Sequence, residues 1–181
     1  MANFWPKNGF ALNDVKINVK YCITFVFSIL AITLIILENS QSLNAKEILQ
    51  FNRDLKNYNA KLQILNQDKK PAVEFLVAIA DTEYKKIYGL MNLKSLPQDR
   101  GMIFYFRKNE VVYMWMKNTK IPLDMLFIDK NNIIVNIETD TVPESLDVIS
   151  SEKPVKKVLE INGGLVKKFN IKIGQKIKIL R

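Results

Sequence analysis

Histidine is absent from all 181 residues, and cysteine occurs once, as Cys22. The first absence removes the usual general base near neutral pH, the Ser-His-Asp triad and every imidazole metal site. The second excludes an intrachain disulfide and a zinc–cysteine cluster. Ser95, Ser145, Ser150 and Ser151 therefore have no histidine to activate them, and no lysine stands out as a substitute base. The acidic residues Glu138, Asp140, Glu144, Asp147 and Glu152 lack the spacing of a calcium loop and read as a solvated segment. No metal and no cofactor is expected. There is also no arginine-rich stripe, no nucleic-acid motif and no internal repeat. The net charge is +9, but the cations are scattered; residues 71–181 hold 18 Lys/Arg against 13 Asp/Glu. That pattern reads as a solvated basic surface, and no nucleic-acid partner is expected.

What is present begins with an apolar run. Tyr21 to Leu37 is 17 residues without a charge, preceded by Lys7, Lys16 and Lys20 and followed by Glu38. A membrane-spanning helix needs roughly 17–25 residues, and the positive flank stays in the cytoplasm. The expectation is a cytoplasmic segment over 1–20, a single-pass anchor over 21–37 and the rest of the chain outside the cytoplasm. A cleaved signal peptide, cut near Ser40–Ser42 or Leu43–Ala45, is the alternative, and it would give a secreted domain. Residues 38–60 form a linker without glycine. Ile48, Phe51, Leu55, Tyr58, Leu62 and Leu65 follow the 3-4 spacing of a helical seam. Lys61 to Gln67 alternates instead, so a helix over roughly 45–59 and a strand over 61–66 are expected.

From Pro71 onward the signals are those of short strands. Val73–Ala80, Met102–Phe106, Val111–Met116, Met125–Ile128, Ile133–Glu138, Val155–Ile161 and Lys176–Leu180 are apolar or alternating. Asp129-Lys130-Asn131-Asn132 reads as a hairpin turn. Asp81 or Thr82 can cap a short helix ending at Gly89, and Gly164–Phe169 reads as a second. Residues 139–154 read as an acidic loop. The expected fold is mainly β, a compact barrel-like β sandwich with one or two short helices, preceded by a transmembrane helix. The globular domain spans 61–181.

Four motifs identify a family. Gly89-Leu90-Met91, Arg100–Phe104 (RGMIF), Trp115–Asp129 (WMKNTKIPLDMLFID) and Val158–Gly164 (VLEINGG) follow one another in order. The chain resembles family 192 of the domains of unknown function, found in bacteria and archaea, over roughly residues 61–180. The resemblance implies a mainly β domain behind an N-terminal signal or anchor, and it implies no substrate, cofactor or catalytic residue.

The Trp115–Asp129 stretch sets polar residues within an apolar run, and a polar group buried there needs a partner. Arg100, Lys117, Asn118, Thr119 and Asp124 could line one polar pocket, or they could brace the loop at Pro122. Glu160 lies between Leu159 and Ile161, with Asn162-Gly163 following; helix-start amides there could hold a carboxylate or phosphate, or Asn162 could simply cap the helix. Together these eight residues are the candidate ligand-binding set. The expected role is a membrane-anchored, extracytoplasmic binding or accessory module, rather than an enzyme, for an envelope saccharide, peptide or protein. A hydrolase pairing Asp124 with Glu160 is one alternative. A copper-handling protein using Met114 and Met116, among five methionines of the domain, is another.

Overall fold

The computed structural model describes Tyr58 and residues 60–180. The expected anchor at 21–37 and nearly all of the linker lie outside these residues. Among the described residues no helix is long and apolar enough to cross a membrane.

Eleven elements follow in order: β1 (Ala60–Leu65), β2 (Pro71–Ala80), α1 (Glu83–Tyr88), β3 (Arg100–Glu110), β4 (Tyr113–Met114), β5 (Leu123–Ile128), β6 (Ile134–Glu138), β7 (Ile149–Ser150), β8 (Val155–Asn162), α2 (Leu165–Lys168) and β9 (Ile177–Leu180). Local chemistry explains most boundaries. The Thr82 side chain accepts the Lys85 amide and caps α1, and Gly89, at φ 49°, ends it. In the β5–β6 turn, one Asp129 carboxylate oxygen accepts the amides of Asn131 and Ile133, both at 2.8 Å. Asn132 takes the left-handed conformation there, at φ 66°.

Seven strands form one sheet in the order β6-β5-β8-β3-β2-β1-β9, and β4 pairs with β7 in a separate ribbon. The pairing is antiparallel except for β2–β3, which α1 connects as a parallel crossover. The sheet is not closed into a barrel, which corrects the expected architecture. Its edge strands β6 and β9 approach only at one corner, through the single bridge Ile133–Lys176 and neighbouring backbone bonds.

The reason lies in the sequence of the central strands. A closed barrel has one interior, whereas these strands bury both faces. Met102 and Phe104 of β3, Leu123, Met125 and Phe127 of β5, and Val158 of β8 pack into one core. Their alternates Ile103, Leu126, Ile128, Leu159 and Ile161 pack into a second core with β1, β9 and α2. All six residues of β5 are buried. Each large apolar side chain so buried contributes about 1.5–3 kcal/mol. Strands β3 and β8 approach closely where Gly101 pairs with Ile161; a Cβ at Gly101 would lie 2.6 Å from the Glu160 carbonyl oxygen.

Candidate functional site

The period of two along β8 decides where its one acid goes. Glu160 shares a face with Val158 and stands in register between Met102 of β3 and Met125 of β5. It is only 4% exposed. Among the described residues its carboxyl has no hydrogen-bond or ion-pair partner. Burial alone pushes its pKa up to about 8, with no contribution from a neighbouring charge. At neutral pH it is a protonated acid held in apolar surroundings.

That acid opens onto a cleft of about 480 Å³. Its buried lining is Gly89, Leu90, Phe104, Thr119 and Glu160. Tyr88, Met91, Phe106 and Met114 form the walls, and the exposed Ile87, Tyr113 and Trp115 lie at the mouth. Three cations, Lys86, Arg107 and Lys108, stand at the rim against Glu83 and Glu110. The Lys86 ammonium bridges to Glu83 at 2.6 Å and lies over the Phe106 ring, 5.3 Å from its centre. The Lys117 ammonium lies over the Trp115 ring in the same way, at 5.4 Å. Strand β3 supplies Phe104, Phe106 and Lys108 from alternate positions on the face shared with Met102. Strand β4, paired with β7, supplies Met114 and Tyr113: Met114 pairs with Ile149 and packs against the core, leaving Tyr113 exposed. The cleft is of the size that holds a small ligand.

The eight residues expected to bind ligand do not form one pocket. Thr119 and Glu160 line the cleft. Asp124 faces the other side of the sheet. It pairs in register with Ile161, one position from Glu160, so the two carboxyls lie on opposite faces. This removes the geometry a paired-carboxylate hydrolase requires. Asp124 is fully buried, and its carboxylate accepts the amides of Asp140 at 2.9 Å, Gly164 at 3.1 Å and Val166 at 2.7 Å. The anion that docks at the start of α2 is thus the protein's own. Asn162 does not cap that helix; its side-chain amide donates to the carbonyls of Leu96 and Pro97. Gly163 allows close packing, since a Cβ there would lie 3.0 Å from an Asp140 carboxylate oxygen. Arg100 pairs with Asp99 and stacks over Tyr58, 4.9 Å from the ring centre. Lys117 and Asn118 are exposed; the Asn118 carbonyl accepts the Asn92 amide.

The methionines also divide. Met91 and Met114 reach the cleft, whereas Met102, Met116 and Met125 are fully buried. The Met116 sulfur accepts the Thr141 hydroxyl at 3.1 Å. Sequence reasoning missed the aromatic and basic walls. The available signal was the alternation Met102-Phe104-Phe106-Lys108, which carries one face of β3 past the end of its apolar stretch. A second signal lies in the motifs: Gly89-Leu90-Met91, Phe104, Trp115 with Thr119, and Glu160 come from all four family motifs, and all line the cleft.

Comparison with known proteins supports the family resemblance. The family model DUF192, described as an uncharacterised ACR family, matches residues 63–179. A crystal structure from Sinorhizobium meliloti 1021, described provisionally as a transcription regulator, is 34% identical; the alignment covers 66% of this chain and 92% of that one, with a TM-score of 0.63. A protein of unknown function from Novosphingobium aromaticivorans DSM 12444 is 31% identical over 65% of this chain and 83% of its own, with a TM-score of 0.62. No curated protein matches the chain.

Proposed function

The chain belongs to the uncharacterised family DUF192, and from that premise we propose that it is a membrane-anchored, extracytoplasmic binding module whose ligand site is the Glu160 cleft. The observation that carries this reading is the Glu160 carboxyl, buried, without a hydrogen-bond or ion-pair partner among the described residues, and lining a cleft of aromatic, thioether and charged side chains. Leaving a buried polar group unsatisfied costs roughly 1–3 kcal/mol. A fold keeps that cost most readily where a ligand supplies the missing partner. Asp124, fully hydrogen-bonded, shows the contrasting outcome for a carboxyl used to brace the fold. The charge-free run at 21–37 and its lysine-bearing flank support anchoring with the domain outside the cytoplasm. A saccharide, peptide or protein of the envelope is then the ligand within reach. The absence of histidine and the separation of Asp124 from Glu160 favour binding over catalysis.

The test is a fragment titration of the full chain, read by the 13C-methyl signals of its methionines. Small amphiphiles are expected to shift Met91 and Met114 saturably in the wild type, and Met114→Trp, which fills the cleft, is expected to abolish the shift at the remaining reporter, Met91. Shifts that survive Met114→Trp, or fragments that leave Met91 and Met114 unmoved, would overturn the reading.

A further inference from the structure

Resting on that reading of the cleft, we infer that its ligand presents a primary alkylammonium group to Glu160. Four observations lead there. The carboxyl offers two oxygens and has no partner among the described residues. Its neighbours across β3 and β5 are Met102 and Met125, neither of which can donate a hydrogen bond. The cleft it lines also carries aromatic rings and a thioether, from Tyr88, Phe104, Phe106 and Met91. The charged groups on the packed elements are Glu83 and Lys86 of α1 and Arg107, Lys108 and Glu110 of β3; all but Lys86, which is paired with Glu83, are exposed, and none pairs with Glu160.

An ammonium suits this arrangement better than a neutral group. It carries three donors, so both carboxyl oxygens can be satisfied at once. A carbonyl could only accept from the protonated acid, leaving its other oxygen unfilled. Aromatic faces attract a cation through their negative ring faces, more strongly where water is excluded. The molecule already uses that interaction at the rim, where Lys86 lies over Phe106 and Lys117 over Trp115. A carboxylate ligand would meet the opposite situation, a second acid in apolar surroundings. Binding is accompanied by a proton change: Glu160, protonated when the cleft is empty, gives its proton to solvent and pairs as the carboxylate with the ammonium. Affinity for an alkylammonium therefore rises about tenfold per pH unit up to about pH 8, the value set by burial, and levels off above it.

Hexylamine, 1-hexanol and hexanoate share one six-carbon chain and differ only at its end. Titrated into the full chain and read at the Met91 and Met114 methyls, hexylamine is expected to bind at least tenfold more tightly than hexanol at pH 8. Glu160→Gln, close in shape, is expected to erase that preference while hexanol still binds. Calorimetry in buffers of different ionisation enthalpy is expected to show a proton released by hexylamine at pH 6.5. Hexanol or hexanoate binding as tightly as hexylamine, or a preference that survives Glu160→Gln, would overturn the ammonium while leaving the cleft reading intact. If none of the three moves either methyl, the cleft reading falls as well.

Discussion

Glu160 and Asp124 are the two buried acids among the described residues, and one position of strand register decides their different fates. On β8 and β5 successive side chains alternate in face. Glu160 turns toward the cleft and Asp124 toward the start of α2. The consequence for Glu160 is a measurable pH dependence. Its folded pKa of about 8 lies above its ordinary value of 4.5. The native state therefore holds a proton that the unfolded chain releases, and the associated stability is fully present below pH 4.5. It is lost as pH rises through the window from 4.5 to 8, by up to an order of 5 kcal/mol at ~1.4 kcal/mol per unit. Urea unfolding of the wild type at pH 5, 7 and 9 is expected to show that decline, and Glu160→Gln to flatten it.

At the scale of elements, α2 is four residues long and far too short to persist alone. Its N-cap, Gly164, has no side chain to satisfy the first amides, so the cap comes from β5 through Asp124. The same carboxylate holds the amide of Asp140, in the loop after β6. Asp124→Ala would strand three backbone donors and is expected to cost about 3 kcal/mol, seen as a lower denaturation midpoint with an unchanged slope. Loss of less than ~1 kcal/mol would show that water replaces the carboxylate. Most strands and both helices were legible in the sequence, because alternation, Thr82, Gly89 and the Asp129 turn are local signals. The ribbon partner β7 was not. It is two residues long inside an acidic segment that reads as a loop, and its place depends on distant contacts. The buried Ser151 hydroxyl, for instance, accepts the Val112 amide at 3.0 Å and donates to the Lys153 carbonyl at 2.8 Å.

For the whole molecule, the prediction concerns the side of the membrane on which the domain works. The proposed topology puts residues 1–20 in the cytoplasm and the domain outside. Alkaline phosphatase joined after Arg181 is therefore expected to be active, and the chain to sediment with membranes after a carbonate wash. An inactive fusion would sink the extracytoplasmic placement. A mature chain that has lost an N-terminal tag and stays soluble would replace the anchor by a cleaved signal.

By itself the sequence determined the class of fold, the family and the absence of histidine chemistry, since these depend on residue identity, short periodicities and ordered motifs. It also marked Glu160 and Asp124 as residues needing an explanation. Only the tertiary structure decided that the sheet stays open with a core on each face, because closure depends on whether β6 and β9 can pair along their length. It alone separated the two acids, because face is set by register between strands far apart in the chain. It alone assembled the cleft, whose walls come from α1, β3 and β4 and become neighbours only when the chain folds.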